Sequence, residues 1–214
     1  MLRGCPPRSG GVPMKAETCG NQRTVLAPFN LTPAPRPPAV PKIPAVDLIL
    51  WRHAEAQEQS EEGDDLSRAL TRKGQRHALR MAAWLDQHIP GSTRVLVSPA
   101  LRATETAHAL GRNFKCRNEL RPLASPEEAL SLLKWDSVSG LQVKGPVLLV
   151  GHRHSLAPLA ALLLGLDTEA VVLRKAAVWW LRGRGLPLEH RCNVVAAMSP
   201  DLLPAVPHER IRAG

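Results

Sequence analysis

A chain of 214 residues with 44% hydrophobic content can bury the core of one domain with tails, and it is too apolar for wholesale disorder. The net charge of +9 invites a nucleic-acid reading, but residues 1–45 hold six Lys or Arg against Glu17 alone, which is more than half of the excess. Tyr is absent and Phe occurs twice, so a base-stacking surface is poorly supplied and no nucleic-acid partner is expected.

Residues 1–45 hold half of the 20 prolines and show no apolar periodicity. They are read as a Pro-rich, disordered N-terminal extension, because Pro removes the backbone donors that helix or sheet needs. No apolar h-region follows the basic start and no twin-arginine leader is present, so a cytoplasmic protein is expected. An alternative places the true start near Val46, with residues 1–45 absent from the native protein; an intact mass retaining Met1 or Met14 would rule that out.

From residue 46 the pattern is regular, and the domain is expected over 46–203 with a tail at 204–214. "VDLILW" (46–51), "RVLVS" (94–98) and "PVLLVGH" (146–152) are short continuous apolar runs, as in strands covered on both faces. Between the first two, Ala78, Met81, Ala82, Leu85 and Ile89 mark one stripe of a helix over 71–89, with Thr71 as N-cap and "PG" as stop. Further helices are expected at 98–111, opened by Ser98 and Pro99 and closed by Gly111, at 125–135, and at 155–165. The apolar run 156–166 falls short of the ~20 residues of a bilayer span, so it is a core helix and no membrane partner is expected. "AAVWWLRG" and "CNVVAAM" flank "RGLPLE" as a closing hairpin at a sheet edge. Strands alternating with helices predict a three-layer α/β/α fold with a mostly parallel central sheet.

Three of these strands end in residues that core packing does not require. Arg52 and His53 follow the first, the turn to Arg102 follows the second, and Gly151 and His152 end the third. In open α/β sheets the carboxyl ends of strands form the ligand crevice, so the three should converge. Arg102 lies in the first turn of its helix, where the macrodipole disfavours a cation, and Arg72 and Lys73 repeat this just after Arg68. Such cations imply an anion at the helix N-terminus, and phosphate fits, since guanidinium binds its oxygens bidentately. No P-loop and no C-x5-R turn is present, so the nucleophile falls to His53, whose neutral imidazole can capture a phosphoryl group.

"RHAEA", "RALTRKG" (68–74), "SPALRATETA" (98–107) and "LLVGH" (148–152) together resemble the histidine phosphatase superfamily of R-H-G type. The compact length, the "RALT" segment and the late "AAMSPDLL" resemble its SixA-type phosphohistidine phosphatases. The resemblance covers about 46–203 and implies a phosphoglycerate-mutase-like fold with no large insertion. It also implies roles: His53 becomes phosphohistidine, Arg52 and Arg102 hold the phosphate, His152 stabilises the transition state, and Arg68 lines the mouth. No metal and no cofactor are implied. The implied partner is a phosphohistidine-bearing signalling protein, such as a histidine phosphotransfer domain. Alternatives are a small phosphomonoester or phosphoanhydride as substrate, or a catalytically weak phosphate-binding module. Ala54 departs from the usual Gly, and "RH" follows "GH" where a small or apolar pair is common. The family's later Glu insertion is missing, which leaves Glu55 and Glu119 as candidate general acids.

Simpler roles suffice elsewhere. His152 and His154 alone do not make a metal site; "EEGDD" (61–65) is read as a solvated loop, Trp179 and Trp180 as edge packing, and His77, His88 and His108 as solvent-facing. The four cysteines show no paired spacing and are read as free thiols.

Overall fold

A computed structural model describes residues 45–60, 63–133, 135–136, 140–141, 145–184 and 192–205, all within one compact unit spanning Pro41–Gly214. The expected extension through residue 44, most of the expected tail, Cys5, Cys19 and the hairpin tip at 185–191 lie outside the described residues.

Along the chain come β1 (Ala45–Arg52), α1 (Arg72–His88), β2 (Arg94–Val97), α2 (Leu101–His108), β3 (Lys115–Cys116), α3 (Pro126–Ser131) and the small pair β4 (Trp135–Asp136) and β5 (Gly140–Leu141). They are followed by β6 (Val147–Gly151), α4 (Arg153–Leu164), β7 (Val178–Arg184) and β8 (Asn193–Met198). The main sheet has the order β3-β2-β6-β1-β7-β8. Its first four strands run parallel, whereas β7 and β8 pair antiparallel. The three-layer α/β/α expectation therefore holds, with the hairpin turning the sheet mixed at one side.

The apolar run of β1 is explained by its two covered faces. Leu48 and Leu50 pack with Leu149, Leu156 and Leu159 toward α3 and α4, while Ile49 and Trp51 pack with Met81, Leu85, Val97 and Val150 toward α1 and α2. Each such side chain contributes about 1.5–3 kcal/mol on burial, so polar residues on either face of β1 would be costly. The tryptophans sit one strand in from the edge, because β7 pairs with β1 and it is β8 that ends the sheet.

Several termini follow the sequence and others do not. Thr71 Oγ1 accepts the Gly74 N–H at 2.9 Å, Ser125 and Glu128 form a capping box on α3, and Gly165 ends α4 at φ 63°. Ser98, however, caps nothing: α2 starts later, behind Ala100 and without a side-chain cap, since the Ser98 hydroxyl is engaged elsewhere. The helix expected over 125–135 also stops early, at Ser131, and Trp135 enters β4.

The close seat of α1 depends on Gly74. A Cβ there would fall 2.0 Å from the Glu55 carbonyl oxygen, which already accepts the Thr71 N–H at 2.9 Å. Backbone cannot move aside as a side-chain tip can, so Gly74→Ala is expected to lower stability by about 1–3 kcal/mol. A shift of the urea midpoint at unchanged m-value would measure it; an unchanged midpoint would mean that α1 is free to slide.

Candidate active site

The strands β1, β6 and β2 are parallel neighbours, so their carboxyl ends share one edge of the sheet, and Arg52 stands in register with Gly151. His53 follows β1, α2 begins shortly beyond β2, and α4 begins directly after His152. Residues about fifty and a hundred positions apart thus line one cleft of about 480 Å³, which contains Arg52, His53, Arg68, Arg102 and His152.

His53 is held from several sides. Its N–H donates to Gly151 O at 2.9 Å and its carbonyl accepts the Ala176 N–H at 3.1 Å. Its Nδ1 lies 2.7 Å from Ala54 O, and a carbonyl can only accept, so Nδ1 carries the proton and Nε2 keeps its lone pair. Burial pushes its pKa down to about 3, opposed by the bond to Ala54 O and assisted by the charges of Arg102, Arg52 and Arg68. The imidazole is therefore neutral at neutral pH, as a nitrogen nucleophile requires.

The His152 ring lies 5.0 Å from that of His53, centroid to centroid, tilted by 54°. Its Nε2 is 2.8 Å from Ser98 Oγ, which also accepts the Ala100 N–H at 3.3 Å. Here lies the work of Ser98 that displaced capping. Burial, followed by the neighbouring His53 and Arg102, pushes the pKa of His152 down to about 3 as well.

The arginines are fixed differently. Arg52 donates Nη1 to Leu173 O at 2.8 Å, while its buried Nε has no acceptor among the described residues. Burial, then the charge of Arg153, lowers its pKa. Arg102, 4% exposed, donates Nη1 to Asp65 O at 2.5 Å and Nη2 to Asp65 Oδ2 at 2.8 Å. The other Asp65 oxygen takes Arg68 Nη1 at 2.8 Å. Burial raises the Asp65 pKa, but the hydrogen bonds from Arg102 and Arg68 outweigh it and hold the carboxyl below its ordinary value.

Asp65 corrects the reading of 61–65 as a merely solvated loop, since its carboxylate clamps two arginines of the cleft. The candidate acids are corrected too. Glu55 binds the Thr71 hydroxyl at 3.0 Å and Lys73 at 3.6 Å; that hydroxyl bond first, with Lys73 assisting against desolvation, lowers its pKa. It lies outside the cleft, as does Glu119 in the turn Asn118–Leu120. The anion answering Lys73 at α1 is therefore the protein's own Glu55. His77 is half-buried with Asp201 at 4.0 Å, not solvent-facing as expected, whereas His88 and His108 are exposed.

The segment 98–107 acquires a reason for most of its polar residues. Besides Ser98 and Arg102, Glu105 Oε2 accepts the Leu70 N–H at 2.6 Å, and Thr106 Oγ1 accepts the Ala54 N–H at 3.0 Å while donating to Arg102 O. One helix thereby ties the loop behind His53 to the loop bearing Asp65. Ala176, at φ 61°, accepts the Trp51 indole N–H at 3.0 Å, a strained residue whose own N–H braces the His53 carbonyl. Asp65, Arg153, His154 and Lys175 also line the cleft and were not singled out as site residues from the sequence; charge next to the "GH" step was the one signal for the middle pair.

Among the described residues no group of three or more His, Cys, Asp or Glu could hold a metal ion, and no helix is long and apolar enough to cross a membrane. Cys116 and Cys192 are free.

The buried imidazoles carry a stability prediction. Both titrate near 6.5 when unfolded and near 3 when folded, so between these values the unfolded chain binds more protons. Their contribution is complete above pH 6.5 and is lost as pH falls toward 3. Melting temperatures measured across that window should decline toward acid, and the decline should shrink in His53→Ala. A flat profile would contradict the burial of the two rings.

The family model for the histidine phosphatase superfamily (branch 1) matches residues 48–124. The chain is 28% identical over 133 residues to a phosphohistidine phosphatase SixA homolog of Haemophilus influenzae, covering 56% of this chain and 78% of that protein. It is 30% identical over 147 residues to an uncharacterized protein of Picosynechococcus, covering 64% and 85%. A structure of the protein histidine phosphatase SixA complexed with tungstate aligns with a TM-score of 0.57 at 25% identity, over 72% of this chain and 97% of the other. The described fold is phosphoglycerate-mutase-like, as the resemblance implied, and the motifs that carried the resemblance meet around one cleft. Over residues 48–124 the chain thus matches the histidine phosphatase superfamily, and SixA-type phosphohistidine phosphatases are among the proteins it is similar to in sequence and in fold.

Proposed function

We propose that this chain is a metal-independent phosphatase that removes the phosphoryl group from a protein phosphohistidine through a phospho-His53 intermediate. The superfamily and its named relatives support hydrolysis of a phosphoryl bond, and a tetrahedral oxyanion such as tungstate on a relative suits a cleft of paired arginines. In the first step Nε2 of His53 attacks phosphorus, the bond to the substrate imidazole breaks, and Arg52, Arg102 and His152 stabilise the oxygens of the transferring group. Water then attacks phosphorus, breaking the bond to His53 and releasing inorganic phosphate.

The observation that carries the substrate class concerns acid catalysis. Among the described residues the one carboxyl lining the cleft is Asp65, and two arginines hold it ionised. An alkoxide leaving group needs a proton from such an acid. An imidazole leaving group does not, because its distal nitrogen can already carry one.

A phosphorylated histidine phosphotransfer domain, offered with and without chelator and in competition with p-nitrophenyl phosphate, tests this. Turnover of the domain is expected to be indifferent to chelator and to exceed that of the ester. The acid limb of kcat/KM, which reports the free enzyme, should lie well below pH 6.5, since His53 titrates near 3 there. Preference for the ester, or an inflection of kcat/KM at pH 6.5 traced to His53, would sink the reading.

A further inference from the structure

The rim of the cleft carries features for which a phosphoryl group alone has no use. Leu123 lines the mouth and is 83% exposed, the highest value among the large hydrophobic residues described. It occupies the third position of the turn Arg121–Pro122–Leu123–Ala124, closed by the Ala124 N–H to Arg121 O at 3.0 Å. Pro at the second position and φ 65° at the third fit a type II turn, in which the third residue is ordinarily Gly because a side chain there is strained. The turn cannot relax easily. Leu120 and Ala124 are buried on either side of it, and the capping box on Ser125 begins α3 directly afterwards. A strained, solvated leucine is thus displayed rigidly beside the nucleophile.

The mouth also carries Arg153, His154 and Lys175, all exposed. Arg52, Arg102 and His152 already suffice for the phosphoryl oxygens.

We propose that Leu123, Arg153 and Lys175 form a docking surface for the folded protein that carries the phosphohistidine. Leu123 seats in an apolar depression beside the phosphorylated ring, and the two cations face carboxylates on the same partner surface. The inference rests on the phosphohistidine reading and deepens it by naming how a protein substrate is told from a small phosphoramidate.

The test compares kcat/KM for a phosphorylated histidine phosphotransfer domain with kcat/KM for free phosphohistidine. In Leu123→Gly the ratio of the two is expected to fall about tenfold, mainly through KM for the domain, as truncation of an interface anchor does. Leu123→Asn, which also tolerates this backbone conformation, should behave alike, and neither variant should melt below the wild type. Lys175→Glu should lower the ratio most at low salt. An unchanged ratio in Leu123→Gly, with the wild type active on the domain, overturns the docking surface and leaves the phosphohistidine reading standing. A wild type inactive on both probes takes down both.

Discussion

Replacing His53 by alanine is expected to reduce turnover of phosphohistidine protein by about 10⁴- to 10⁶-fold, the scale on which covalent catalysts lose rate with their nucleophile. The reason is geometric. Ala54 O fixes the proton on Nδ1, burial keeps the ring neutral, and the second imidazole, 5.0 Å away, is tied through Nε2 to Ser98, so it is poorly placed to take over attack. Wild-type enzyme quenched during turnover with labelled substrate should retain acid-labile, alkali-stable phosphate on the chain, and His53→Ala should retain none. Equal labelling of both proteins would assign the covalent role to another residue, however similar the overall rates.

Arg102→Ala is expected to lower kcat by about 10²- to 10³-fold, the loss typical when one preorganised donor to a developing oxyanion is removed. Stability should change less, because the Asp65 side chain that Arg102 clamps is 51% exposed and can be rehydrated. Arg102→Lys should recover only part of the rate, since an ammonium keeps the charge but loses the two-pronged geometry that now spans Asp65 O and Oδ2. Inhibition by vanadate should weaken in the same order across the three proteins. Near wild-type kcat in Arg102→Ala would show that the guanidinium serves only to hold Asp65.

Asp65 marks the boundary of what could be read in advance. The alternation of Leu48, Ile49, Leu50 and Trp51 announces a strand covered on both faces, because local spacing and burial follow one periodicity. Arg52, His53, Arg102 and His152 were legible for a related reason: each stands at the end or just beyond a recognisable strand, and a parallel sheet brings such ends to one edge. Asp65 has no comparable signal. It lies in a loop rich in acidic residues, where composition describes hydration well and pairing not at all. Ser98 misled in the opposite direction, as Ser before Pro reads as a cap while its hydroxyl in fact serves His152.

Glu55 and Glu119 show the same limit from the functional side. A carboxylate next to the nucleophile in sequence looks available, yet the chain turns after His53 and directs Glu55 to Thr71 and Lys73. The alternation of strands and helices, the mostly parallel character of the sheet and the four residues at its carboxyl edge can be read from the chain directly, because these depend on spacing within short segments. Which carboxylate meets the arginines, which hydroxyl orients His152 and which leucine stands at the mouth emerge once the chain is folded, because such contacts join loops whose relative placement no local periodicity encodes.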